Sequence, residues 1–118
     1  MQYKDLTVYK KSLEVISEIE LKVLSIPNGD LNIKDQLKRA ANSIILNIAE
    51  GSGRFSPADR KNFFVIARGS AFECSAALDK IEAVQKHDFT EIKNLLEEIS
   101  KMLYKMISNL QNKIKAKK

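Results

Sequence analysis

Cysteine, histidine, glycine, proline and tryptophan are all scarce in this chain of 118 residues, which has 1 Cys, 1 His, 4 Gly, 2 Pro and no Trp. A single Cys forms neither an internal disulfide nor a Cys-based zinc site, and a single His leaves too few ligands for the usual metal or triad chemistry. So little Gly and Pro withholds the turn punctuation that sandwiches, barrels and βαβ units need, which leaves long helices. Long apolar runs are missing too. The longest uncharged stretch, Ala40 to Ala49, is half of what a membrane-spanning helix requires, and Met1 to Lys11 is mixed and charged, without the apolar centre of an export signal. The expected compartment is therefore the reducing cytoplasm, with no membrane partner. Cys74 lies in the apolar run Ala71 to Leu78 and reads as a small buried hydrophobe, because nothing nearby in sequence offers the base a reactive thiol would need.

What the chain does contain is one domain's length of ordinary soluble composition, 44% hydrophobic and 30% charged. Four segments carry helical periodicity. The first runs roughly from Leu6 to Ser25, with Leu6, Tyr9, Leu13, Ile16 and Val23 as its apolar stripe and Val15 and Ile19 widening it; Ile26-Pro27 and Asn28-Gly29-Asp30 stop it. The second opens near Asn32 as N-cap, with Asp35 in its first turn. It carries Leu37, Ala41, Ile44 and Ile48, and runs to Glu50 before Gly51 ends it. The third begins at Ser56-Pro57-Ala58-Asp59, a cap, a first-turn Pro and a dipole-matched Asp, ahead of Phe64, Ala67, Ala71, Cys74, Leu78 and Ile81. The fourth starts between Asp88 and Thr90 and places Ile92, Leu96, Ile99, Leu103, Met106 and Leu110 on one side.

Short connections between such helices predict an all-α fold, an up-down-up-down antiparallel four-helix bundle with crossing angles near about 20°. Residues 1–112 make the bundle domain and 113–118 a basic C-terminal tail. Small residues (Ala40, Ala41, Ala67, Gly69, Ala71, Ala76 and Ala77) gather on the second and third helices, which predicts that those two approach closely.

Polar residues on the second helix fall into one stripe: Gln36, Arg39, Ser43, Asn47 and Glu50. Two readings fit it. One is the solvated face of an amphipathic helix. The other is a set of side chains that bond to one another or to a partner, since Ser and Asn are mediocre helix formers and a stripe chosen for solubility alone would favour Glu, Lys and Gln. Ser70 and Glu73 on the third helix are the complement, and a carboxylate there facing Arg39 or Arg54 would make a charge-assisted pair that fixes register or a subunit interface.

Around these residues the chain resembles a known family. The run from Arg39 to Arg54, with Asn47-Ile48-Ala49-Glu50-Gly51 at its centre, is followed by Ala67-Arg68-Gly69-Ser70 and Glu73. It is similar to the four-helix-bundle proteins first noticed as products of intervening sequences within bacterial 23S rRNA genes. Asp5-Leu6, Val8-Tyr9, Ile26-Pro27 and Gln36-Leu37 extend the likeness, and over the fourth helix only periodicity matches. Three positions depart from the family's pattern: Tyr9 in place of a common Trp, Lys34 where Thr or Ser often caps, and Ile45 where Pro is frequent. The resemblance implies a ring-like homopentamer, with nucleic-acid binding suggested by genomic context and basic surface. Size, fold and charge are also similar to the accessory proteins of diversity-generating retroelements, an analogy of architecture.

Residues 113–118 hold 4 Lys and no acid, so the body has 16 basic against 15 acidic residues and the net charge of +5 belongs mostly to the end of the chain. Candidate phosphate contacts are Arg54, Arg60 and Lys61 around the Gly51 to Ser56 loop, and Lys113, Lys115, Lys117 and Lys118. Phe55 is the one aromatic in a position to stack on bases there, so binding should follow the backbone and not the sequence. Arg39, Ser43, Asn47, Glu50, Gly51, Arg54, Ser70 and Glu73 form the family motif and the expected polar network or subunit interface. No cofactor is expected. Catalysis is disfavoured, because His87 precedes the fourth helix without the Glu-x-x-His pairing of di-iron bundles, and Glu50 with Glu73 makes a better salt-bridge set than an acid–base pair. The alternative to nucleic-acid binding is a pure protein-interaction or scaffold module.

Overall fold

The apolar stripes become four long helices in the computed structural model, which describes residues 2–117. They are α1 (Thr7–Ile19, prolonged by a wider π-helical turn over Glu20–Leu24), α2 (Leu31–Ser52), α3 (Pro57–Gln85) and α4 (Thr90–Ala116), preceded by a short 3₁₀ turn at Tyr3–Asp5. No strand occurs among the described residues. Each helix packs on the next and α1 closes the ring against α4. Partners across the seams count in opposite directions along the chain. Lys61 meets Gln111, Arg68 meets Ser100 and Lys93 meets Asp79 between α3 and α4, and Lys11 meets Glu98 between α1 and α4. The bundle is antiparallel and elongated, 53 × 23 × 22 Å.

The core matches the expected stripes on α2, α3 and α4: Leu37, Ala41, Ile44, Ile48, Phe64, Ala67, Ala71, Cys74, Leu78, Ile81, Ile92, Leu96, Ile99, Leu103 and Leu110 are buried, with Met106 at the edge. Helix α1 differs. Its buried line is Val8, Ser12, Val15, Ile19 and Val23, while Leu13 is 47% exposed and Leu6, Tyr9 and Ile16 pack on the flank. The apolar set of α1 is broad enough to present two neighbouring stripes, and the compact residues of one fit the cleft between α2 and α4. Ser12 is admitted there because its hydroxyl donates to the Val8 carbonyl at 2.7 Å. The wide turn at Glu20–Leu24, with its longer bonding ring, brings Val23 back above Ile19 and keeps it on the seam.

Two helix ends depart from the sequence reading. The cap of α2 is Asp30 and not Asn32: its carboxylate accepts the Asn32 N–H at 2.8 Å. Gly51 does not end α2 either. It is buried inside the last turn, and the helix closes at Gly53. Ser56 does cap α3, accepting the Asp59 N–H at 3.1 Å, with Pro57 as the first helical residue. The α1–α2 turn uses positive φ at Asn28 (68°) and Gly29 (91°), the conformation an Asn-Gly pair tolerates.

Of the small residues on α2 and α3, Ala40, Ala41, Ala67, Ala71 and Ala77 line the contact between the two helices or the core beneath it, and all are buried. Gly69 and Ala76 face outward, and a Cβ added at Gly69 would meet nothing within 4 Å.

Candidate functional site

The polar stripe of α2 divides in two. Near the middle of the bundle, Asn47 donates through Nδ2 to the Ser43 carbonyl at 2.8 Å and to the Ser43 hydroxyl at 3.0 Å. Ser70 on α3 donates to that same Ser43 hydroxyl at 2.8 Å. This chain of bonds crosses from α2 to α3 where their backbones lie close. At either side the charged members pair with a side chain four residues away: Arg39 with Asp35 inside α2, and Arg54, just past the end of α2, with Glu50 at 2.7 Å. The expected ion pair from Glu73 to Arg39 or Arg54 is not formed, because each arginine has a carboxylate one turn away on α2. Glu73 is exposed and takes part in no ion pair among the described residues.

A shallow groove of about 320 Å³ between α2 and α3 is lined by Gln36, Arg39, Ser43, Ser70 and Glu73, with Ala40 at its base. The structure therefore brings together five of the singled-out polar residues as one open, hydrogen-bonding surface. Asn47 adjoins it through its bonds to Ser43, while Glu50, Gly51 and Arg54 stand apart, nearer the α2–α3 connection.

The basic candidates converge at that connection. Arg54 lies 4.8 Å over the ring of Phe63, and Arg60 donates through Nε to the Arg54 carbonyl at 2.6 Å, which folds the loop back on α3. Phe55 between them is 99% exposed. Lys61 donates to Gln111 of α4 at 2.6 Å. Helix α4 continues through Lys113 and Lys115 to Ala116, so these lysines project from the last turns of a helix that ends beside Arg60 and Lys61. Lys117 follows as the C-cap, and Lys118 lies outside the described residues. Lysines here also suit the negative end of the α4 dipole.

The opposite end of the bundle is acidic and tightly bonded. Glu82 accepts the Phe89 N–H at 2.6 Å and Lys93 Nζ at 2.5 Å, while Lys93 also reaches Asp79 at 3.0 Å. Hydrogen bonding from Lys93 and Phe89 holds the Glu82 carboxyl below its usual range, and the same carboxylates raise Lys93. Bonds from the Thr90 hydroxyl and N–H lower Asp88.

A second groove, of about 600 Å³, opens at the basic end, where the start of α1 meets the ends of α2 and α4 and the beginning of α3. Sequence reasoning missed it, along with Lys105 on its rim. It also gave no role to Arg68, which stands 4.8 Å from the centre of the Phe72 ring and 5.2 Å from that of Tyr104. One signal was available: beyond Glu98 the sequence holds no acidic residue at all.

Comparison with known proteins places this geometry. Residues 4–105 match the profile of the family described as 23S rRNA-intervening sequence protein. The chain belongs to that family. Among solved structures, it is similar to a protein of unknown function from the S23 ribosomal protein family of Bacteroides thetaiotaomicron VPI-5482. The two are 29% identical with a TM-score of 0.78, over 86% of this chain and 98% of that one. No curated protein matches.

In this chain the string from Asn47 to Arg54 has a structural account. Asn47 braces Ser43, Glu50 holds Arg54, and Gly51 lets the Phe63 and Phe64 side chains close over α2. Its departures from the family pattern are accommodated locally. Tyr9 packs edge-on against Tyr3 with ring centres 5.0 Å apart. Lys34 donates to the carbonyls of Ile26 and of Asn28, the latter at 2.8 Å, tying down the turn that Asp30 then caps. No helix among the described residues is long and apolar enough to cross a membrane.

Proposed function

We propose that this protein is a non-catalytic assembly module that works as a homopentamer and binds RNA or DNA weakly, through backbone phosphates and without sequence preference. The observation that carries the nucleic-acid part is the convergence of Arg54, Arg60, Lys61, Lys113 and Lys115 on one end of the bundle, beside the exposed Phe55. Phosphate contact needs only cations presented on a surface, and a ring of copies multiplies a weak site through effective concentration. The subunit number rests on the family resemblance. The groove along Gln36, Arg39, Ser43, Ser70 and Glu73, together with the exposed Leu46 (66%) and Ile66 (50%), is the surface we assign to subunit contact.

A non-catalytic reading is supported by the state of its one thiol, since burial, with Glu73 adding to it, pushes Cys74 up to about 12, far from a reactive thiolate. Sedimentation gives the subunit number, and a salt titration of binding to generic RNA and DNA tests the rest. Affinity should fall steeply with salt, and the slope should shrink by roughly 0.7–0.9 for each phosphate contact removed. Removing residues 113–118 should lower affinity and leave the oligomer intact. Absence of salt-sensitive binding at low ionic strength leaves the second reading, a scaffold that contacts only protein, which the polar groove alone would support.

A further inference from the structure

We infer that the groove of about 600 Å³ at the basic end is a binding site for a single-chain anionic amphiphile, an alkyl chain carrying a carboxylate or phosphate head. Its floor is apolar, made by Leu6 just ahead of α1 and by Val8, Phe64, Met102, Met106 and Leu110 from α1, α3 and α4. Two of these are methionines, whose unbranched thioethers adapt to a flexible chain. Its rim is cationic. Arg60, Lys105 and Lys113 border the groove, no carboxylate lines it, and none of the three is ion-paired to a carboxylate among the described residues. Arg60 is held in place by its Nε bond to the Arg54 carbonyl, which leaves the end of the guanidinium for a ligand. Thr7 and Asn109 are neutral polar residues of the same lining.

This combination selects its occupant. A bare phosphate would use the rim and leave the floor wet, while a neutral alkyl chain would leave three cations uncompensated. A nucleic-acid strand passing over the end meets the same cations but has no alkyl group to bury. The volume lies in the range of small-molecule sites, where an apolar bed and a few placed polar groups divide affinity and orientation between them. The inference does not depend on the nucleic-acid reading, although the two share Arg60 and Lys113.

The test is calorimetric titration of the full chain with decanoate, dodecanoate and tetradecanoate below their micelle concentrations. Inorganic phosphate and dodecyltrimethylammonium serve as head-only and wrong-charge probes. Affinity should rise roughly fourfold per added CH₂. Both control probes should bind at least tenfold more weakly than dodecanoate. Reversing the rim with Lys105→Glu and Lys113→Glu, both exposed, should weaken dodecanoate at least tenfold with an unchanged helical spectrum. Met106→Asp, on the half-buried floor, should do the same. Affinity independent of chain length, equal binding of the cationic amphiphile, or indifference to the rim reversal would each overturn the assignment. So would a short oligothymidylate that binds the groove as tightly as dodecanoate and displaces it.

Discussion

Gly51 lies beneath the ring of Phe64: a Cβ at Gly51 would stand 2.8 Å from the Phe64 Cε1 and 3.0 Å from the Cβ of Phe63. Phe64 is 4% exposed and hemmed in, and a Cβ cannot move without the backbone, so neither neighbour yields cheaply. Gly51→Ala should therefore lose stability, by about 1–2 kcal/mol net, because overpacking outweighs the helix-propensity gain of Ala over Gly. Gly69→Ala is the control. With nothing within 4 Å of its Cβ, it should gain about 0.5–1 kcal/mol in urea unfolding.

Arg39→Ala and Glu50→Ala separate folding from assembly. Each residue is half or more exposed and pairs with a side chain four residues away, a contact worth about 0.3–0.5 kcal/mol. The unfolding midpoint of either variant should barely move. If the α2–α3 groove is the subunit surface, Arg39→Ala should still lower the oligomer mass in sedimentation. Unchanged assembly would make that side of α2 an ordinary solvated face.

Acid should loosen the α3–α4 connection once the pH falls below the ordinary carboxylate range. Bonds from Lys93 and from the Phe89 N–H lower the Glu82 pKa relative to its ordinary value of 4.5, so the folded state binds fewer protons than the unfolded one. That stabilisation is complete above about pH 4.5 and disappears as pH falls through the lowered value. Asp88, lowered from 3.8 by Thr90, follows the same sign further down. Glu82→Gln should be less stable than wild type at neutral pH, and the difference should close on acidification. Hydrogen exchange at Phe89 and Thr90 reads the opening directly.

Cys74 should be inert in the folded protein. It has 0% exposure and its thiol is pushed up to about 12, so iodoacetamide at neutral pH should modify it only at the rate of unfolding, and promptly in denaturant.

Three of the four core stripes were legible because α2, α3 and α4 each offer one apolar line that continues unbroken over several turns. Leu37 through Ile48, Phe64 through Ile81 and Ile92 through Leu110 keep the 3-4 spacing over several turns, whereas the exposed Leu46, Val65, Ile66 and Phe72 lie on lines that polar residues interrupt. Helix α1 was misread at Leu13 because it carries two adjacent lines, and only the shape of the cleft between α2 and α4 chooses Val8, Ser12, Val15 and Ile19. Gly51 was read as a terminator because glycine at a helix end and glycine under a packed ring look alike in sequence.

Local chemistry written along the chain determined four helices, the breaks between them, the Ser56 cap of α3 and the concentration of positive charge after Glu98. Those features depend on neighbours within a few residues. The same locality decided which carboxylate each arginine found, because a partner four residues back is reached at less entropic cost than Glu73 on another helix. Tertiary structure decided that Arg60, Lys105 and Lys113, up to 53 positions apart, surround one apolar groove. Antiparallel packing brings such distant positions to the same end of the bundle, and no local pattern encodes that meeting.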